Sequence, residues 1–251
     1  MAASRYTKSK IRREYKEGSL RADTITPTPT QYARYVARIL KIAKEFNDQG
    51  RYFPVWGTCL GFESMLIALS DFDLILDTDL EDNNVNHPVI FIRSVRSIFD
   101  TLMTDDEFAN IRSLQLMFFN HHFGFRMNKI TESKFIADNI DILSAVFTTR
   151  NEEVLAGYKH KNYPFYGVQY HPEANQFGWN PSRPFNKSEK ANDIARKHAL
   201  VFRTLIKNPD SVMSTSEIFE ARKNVLFASQ TNEDNAKFYV LPQSNNDSNV
   251  V

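Results

Sequence analysis

The stretch FPVWGTCLGFE, residues 53–63, carries the only cysteine of the chain, Cys59, where a short apolar run gives way to a helical pattern. Gly57 and Gly61 flank Cys59 at two residues on either side, which is the spacing of the nucleophile elbow G-x-S-x-G with sulfur in place of the hydroxyl. Small residues at these places let a strand turn sharply into a helix and hold the nucleophile above the sheet. The positive end of a helix macrodipole also favours a thiolate there. A lone cysteine is more often just a small buried side chain. The elbow therefore carries chemistry only if the chain also supplies a base and a group to orient it.

A second stretch, YGVQYHPE at residues 166–173, supplies both. A β-rich run ends in His171, Pro172 and Glu173. Residues two apart on an extended chain face the same side, so Glu173 is placed to bond one imidazole nitrogen of His171. Pro172 restricts His171 to an extended backbone. A carboxylate on one nitrogen leaves the other free to act as a base toward a thiol. Cys59 and His171 lie far apart in sequence, as is usual when a fold brings two strand ends together.

The regions around these stretches alternate between the two periodicities. Tyr32, Tyr35, Val36, Ile39, Leu40 and Ala43 recur at helical spacing from about residue 31 until Asn47-Asp48-Gln49-Gly50. Tyr52–Trp56 predicts a buried strand, and a second helix is expected just after Cys59. FDLIL (72–76) and PVIFI (88–92) predict strands, DDEFANIRSL (105–114) a helix, and LQLMFF (114–119) a strand ending at NHHFG. TESKFIADN predicts a short helix with Thr131 or Ser133 as cap. DILSAVFTT, EEVLAGYKH and FYGVQYH predict three strands, followed by a long amphipathic helix over about 187–207. Helices around a mixed sheet define an α/β class. Residues 1–30 are charged and then proline-rich, which predicts poor order; 31–240 form the domain; 241–251 are a polar tail expected to be disordered.

A chain of 251 residues with a formal net charge of +1 gives no electrostatic reason to bind nucleic acid or an anionic membrane. No apolar run approaches the roughly 20 residues that span a bilayer. One cysteine excludes an internal disulfide and a cysteine-based zinc site. Adjacent His121 and His122 on a strand point to opposite faces, so no metal is expected. No cofactor is expected either. The basic N-terminus lacks an apolar h-region, so the chain as written is expected to be cytosolic.

GTCLGFE followed about 110 residues later by YGVQYHPE resembles the γ-glutamyl hydrolase (folylpolyglutamate hydrolase) family, within the class I glutamine amidotransferase-like superfamily. The resemblance covers roughly residues 31–208. It implies a flavodoxin-like three-layer α/β sandwich and a cysteine hydrolase, an omega peptidase, that cleaves γ-glutamyl bonds of folate and antifolate poly-γ-glutamates through a thioester. It assigns Cys59 as nucleophile, His171 as base and then acid, Glu173 as the residue orienting His171, and the Leu60 N–H as an oxyanion donor. Glu63 is expected either to shape the pocket or to be an exposed or capping carboxylate; Asn120 and His122 are candidates for substrate contact. Arg93, Arg96, Arg126 and Lys129 are candidates for the carboxylates of a polyglutamate. Amidotransferases usually carry Gln where Glu63 stands, which favours a hydrolase over a subunit that feeds ammonia to a synthase partner. The implied partner is a small-molecule substrate, with room for a homodimer, and relatives are lysosomal, vacuolar or secreted.

The chain departs from that family in one respect. The glycine-rich turn of the FPGG kind, which supplies further oxyanion donors, is absent ahead of FPVWG. The resemblance therefore implies an N-terminally shortened member whose central sheet lacks its first strands. Losing one oxyanion donor costs about 2.7–4 kcal/mol of transition-state stabilisation. The alternative reading is a weak or inactive relative.

Overall fold

The computed structural model describes residues 31–206 other than Ile75, Glu81 and Trp179, together with Gln230, Thr231, Lys237 and Phe238. The expectations for residues 1–30 and 241–251 lie outside the described residues. The chain divides into two units, Met1–Asn208 and Pro209–Val251. Of the second, the described part is a pair of two-residue antiparallel strands, Gln230–Thr231 and Lys237–Phe238.

The first unit opens with α1 (Gln31–Asp48), β1 (Val55–Thr58) and α2 (Leu60–Leu69). Next come β2 (Asp82–His87), β3 (Ile90–Phe91), α3 (Phe99–Leu102) and α4 (Asp105–Ser113). β4 (Met117–His121), α5 (Met127–Ile130) and α6 (Lys134–Asn139) lead into β5 (Ile140–Phe147), β6 (Glu153–His160) and β7 (Phe165–Val168). The chain then passes through α7 (Pro172–Phe177) into α8 (Glu189–Ile206).

Five strands form one sheet in the order β1-β7-β6-β5-β3, with β1 parallel to β7 and the other pairs antiparallel. β2 and β4 form a separate antiparallel pair. The period of two sorts the sheet's faces, and the register shifts between β5 and β6 carry Tyr158 over to the face of Leu155. Val55, Phe165, Leu155 and Tyr158 join Leu40 and Ala43 of α1 and Phe62, Met65 and Leu66 of α2 in one core. Trp56, Tyr166, Val168, Val154 and Ala156 join Phe99, Ile111, Ile194, Val201 and Leu205 of the helices on the other face in a second core. The result is the three-layer α/β sandwich expected from the sequence. Among the described residues β1 lies at one edge of the sheet, with β7 as its one strand neighbour.

Local sequence explains most element boundaries. Thr104 and Glu107 form a reciprocal capping box that starts α4. Ser133 accepts the Ile136 N–H and starts α6, whereas Thr131 closes α5, a turn the sequence reading did not foresee. The long helix after YGVQYHPE forms within its expected limits. Other segments depart from expectation. β1 starts at Val55 rather than Tyr52, and β4 runs on to His121.

FDLIL is not a strand in its described residues. Asp71 and Phe72 take φ of 55° and 65°, the Phe72 N–H returns to Ile67 O at 2.9 Å, and the Leu74 N–H donates to Ser70 Oγ at 3.2 Å. The run's backbone groups are thus spent on leaving α2, and an apolar pattern without ladder partners makes no strand. β2, drawn from the polar DNNVNH, was in turn not expected.

The path α1–β1–α2 sets the position of the site. Asn47 and Phe53 exchange two hydrogen bonds, of 2.9 and 3.1 Å, which reverse the chain between α1 and β1. Cys59 reverses it again into α2. Both helices therefore begin at the carboxyl end of β1 and lie side by side. The close fit depends on Gly57, where a Cβ would meet Met65 Sδ at 2.6 Å and the Gly61 carbonyl at 2.7 Å. Gly57→Ala is expected to destabilise the protein by about 1–3 kcal/mol through overpacking, read as a lower urea midpoint. Gly61→Ala, whose Cβ would meet nothing within 4 Å, is expected to leave the midpoint close to that of the parent.

Candidate active site

Cys59 occupies the junction of β1 and α2 with φ 53° and ψ −112°, a conformation costly for any residue with a side chain. Two hydrogen bonds hold it: its N–H donates to Val168 O at 2.9 Å, and its carbonyl accepts the Glu63 N–H at 3.0 Å. The side chain is buried. The two flanking glycines do different things. Gly57 allows β1 to touch the first turn of α2, while a Cβ at Gly61 would meet nothing within 4 Å.

The parallel β1–β7 ladder aligns Thr58 with Val168. His171, three residues beyond Val168, is thereby brought to Cys59. Its N–H donates to Phe118 O of β4 at 2.8 Å, which fixes its backbone from the other side. The His171 Nδ1–H donates to Glu173 Oε1 at 2.8 Å. That contact does not arise from extended-chain alternation as the sequence suggested: Glu173 stands in the first turn of α7, with Pro172 as the first helical residue. Nε2 is buried and has no partner within hydrogen-bonding distance among the described residues. The Cys59 sulfur is nonetheless the partner that most favours the charged ring. Burial works against the imidazolium, yet the Cys59 sulfur and then the Glu173 carboxylate outweigh it and raise the His171 pKa to about 10. At neutral pH the proton therefore resides on His171.

The Leu60 N–H is the first amide of α2 and has no intrahelical acceptor, so it is available beside Cys59. Glu63 is not an exposed carboxylate. It is 3% exposed and accepts a hydrogen bond from Gln169 Nε2 at 2.8 Å. Asn120 and His122 lie at the end of β4; Asn120 is buried opposite Asn83, and His122 is half-buried with its carbonyl accepting the Leu80 N–H at 3.1 Å.

The histidine of this turn whose field reaches His171 is His121. Its Nδ1 donates to Phe123 O at 2.6 Å, and burial lowers its pKa to about 4, so it is neutral. Asp82 lies fully buried nearby, 3.0 Å from His87 Nε2 and accepting the Thr149 N–H at 3.1 Å. Sequence reasoning missed Asp82, His87 and Gln169. Alternation along β4 sets His121 and Phe119 on one face, but only the packing of Phe119 against Tyr170 shows that this face looks toward the site.

The basic candidates for substrate carboxylates are largely committed elsewhere. Arg93 pairs with Asp100 and Asp105 and lies over the Phe108 ring. Arg126 pairs with Asp77, Asp79 and Glu152, and Lys129 with Asp77. Among the described residues no group of three or more His, Cys, Asp or Glu is arranged to hold a metal ion, and no helix is long and apolar enough to cross a membrane.

Residues 6–191 match the profile of the family described as Glutamine amidotransferase class-I. Gamma-glutamyl hydrolase 1 of Arabidopsis thaliana is 32% identical over 161 residues, 60% of this chain and 44% of that protein. Gamma-glutamyl hydrolase B of Dictyostelium discoideum is 28% identical over 61% of this chain and 44% of its own length. Gamma-glutamyl hydrolase of Rattus norvegicus is 30% identical over 65% and 51%, respectively. The chain thus spans about half the length of the curated relatives it matches.

The charge state of His171 is open to direct measurement. Its folded pKa lies above the ordinary value, so the stability that protonation of His171 contributes is full below about pH 6.5 and lost as pH rises through about 10. Titration of the His171 ring followed by NMR is expected near pH 10 in the parent. Glu173→Gln should lower that value, and Cys59→Ala should lower it further, because the sulfur is the stronger of the two influences.

Proposed function

Because the chain belongs to the class-I glutamine amidotransferase family, we propose that it is a cysteine hydrolase of γ-glutamyl bonds, acting on poly-γ-glutamate tails such as those of folates. The observation that carries this reading is the placement of Cys59, on a strained elbow, against an imidazolium held by Glu173. Resemblance to γ-glutamyl hydrolases over about 60% of the chain supports the choice of bond.

In this reading the Cys59 thiolate attacks the γ-carbonyl carbon of a glutamyl residue. The C–S bond forms as the carbonyl π electrons move to oxygen. The oxyanion receives the Leu60 N–H, in the geometry that makes such donors effective. Collapse breaks the C–N bond, and His171 gives its proton to the departing amine, leaving a thioester. His171, now neutral, takes a proton from water as it attacks the thioester, and the thiolate and imidazolium are restored. Glu173 keeps Nδ1 protonated and the ring oriented throughout. The buried Glu63–Gln169 pair borders Cys59 and shapes the space into which the glutamyl group fits.

The edge position of β1 favours a second reading. A nucleophile strand with one neighbour and few oxyanion donors suits a relative that binds γ-glutamyl ligands with little turnover. Incubation of the 251-residue protein with folate pentaglutamate separates the two. Release of glutamate or shorter glutamyl peptides is expected, abolished in Cys59→Ala. Tight binding without release would establish the second reading, and release that persists in Cys59→Ala would overturn the first.

A further inference from the structure

Tyr32 stands in the first turn of α1, one turn ahead of Val36. Positions 32, 36, 40 and 43 share one face of a helix. Val36, Leu40 and Ala43 of that face pack in the core formed with Phe62, Met65, Leu66 and Leu69 of α2. α1 and α2 both begin at the carboxyl end of β1, so this face brings Tyr32 level with the first turn of α2, where Cys59 and Glu63 stand. The side chain is half-buried. Its phenol senses both neighbours: burial, then the Cys59 sulfur, then the Glu63 carboxylate raise its pKa above the ordinary value. The hydroxyl therefore keeps its proton while the enzyme works and can donate it in a hydrogen bond.

A tetrahedral oxyanion is stabilised by several convergent donors, and side-chain hydroxyls of tyrosine serve as well as amides. Leu60 offers one amide. Gly18 and Gly50 are the only glycines ahead of Gly57, so the sequence carries no glycine-rich run ahead of β1. We propose that the Tyr32 hydroxyl is the second oxyanion donor at Cys59, working with the Leu60 N–H; this rests on the thiol acyl-transfer reading above. As the C–S bond forms, the carbonyl oxygen gains the electron pair of its π bond and accepts a hydrogen bond from Tyr32. No proton moves to it, and the bond relaxes when the amine departs with the proton of His171.

Tyr32→Phe removes the donor and keeps the ring that packs on α2. Its kcat on a γ-glutamyl peptide is expected to fall ~100- to 1,000-fold, with KM within about threefold of the parent. Alkylation of Cys59 by iodoacetamide forms no oxyanion, so its rate is expected to stay within about threefold of the parent value. A Tyr32→Phe protein with parental kcat overturns the proposal, and so does a parallel loss of kcat and alkylation rate, which would mark a structural role.

A second measurement is independent of turnover. A γ-glutamyl aldehyde adds Cys59 to its carbonyl and presents the same oxyanion geometry, and its affinity is read from protection of Cys59 against iodoacetamide. Protection is expected to need ~100-fold more aldehyde in Tyr32→Phe than in the parent. Equal protection, or none in the parent, overturns the role of Tyr32. Failure of the hydrolase reading shows instead as absence of glutamate release by the parent.

Discussion

The backbone of Cys59 is the constraint on which the site depends. Its φ of 53° and ψ of −112° cost on the order of 1–3 kcal/mol, and the surrounding structure must overdetermine such a conformation for it to persist. Three features do so. The Val168 carbonyl takes the Cys59 N–H, the Glu63 N–H takes the Cys59 carbonyl, and Gly57 lets β1 press on the first turn of α2. Val168 is the last residue of β7, and His171 follows three residues later. One parallel ladder therefore positions both the residue that attacks and the one that handles its proton. The carboxyl ends of parallel strands are the usual place for such a crevice in open α/β sheets.

The electrostatics follow from this geometry. The imidazoles of His121, His171 and His198 differ in what faces them. His198 bonds Ile194 O and the Tyr170 hydroxyl, both at 2.8 Å, and burial holds its pKa near 4. His121 feels the Asp82 carboxylate and bonds the Phe123 carbonyl, yet burial prevails and keeps it neutral. His171 alone among the three faces a sulfur and a bonded carboxylate, and it alone is pushed upward. Burial by itself would discharge all three, so the opposite state of His171 is the work of its two partners. His171 is thus held charged where His121 and His198 are held neutral.

How much of this was legible in the sequence depended on whether the deciding contact was local. Cys59, His171 and the elbow glycines announce themselves through spacing, and α4 and α6 through caps within four residues of their starts. The capping box of Thr104 and Glu107 needs no tertiary partner to be recognised. FDLIL failed because an apolar run says nothing about whether a neighbour exists to complete its ladder, and the positive φ values at Asp71 and Phe72 had no glycine to signal them. DNNVNH failed in reverse: β2 exists because β4 pairs with it, not because its residues favour a strand. Glu63 stood undecided between pocket and surface until Gln169, 106 residues away, proved to be its partner. Its burial is thus a property of the β7–α2 contact and not of α2.

The same distinction separates the two glycines of G-x-C-x-G, which look equivalent in the sequence. Gly57 is required because any side chain would collide with Met65 and the Gly61 carbonyl. Gly61 meets nothing, so packing alone would accept a larger residue there. A small residue thus stands at the start of α2 where sterics do not demand one. Glu63 and Gln169 meet through the 2.8 Å bond from Gln169 Nε2 to the Glu63 carboxylate, which leaves Gln169 Oε1 buried without a partner among the described residues. Helices and strands instead of long loops carry these groups, so the position of each is set by core packing.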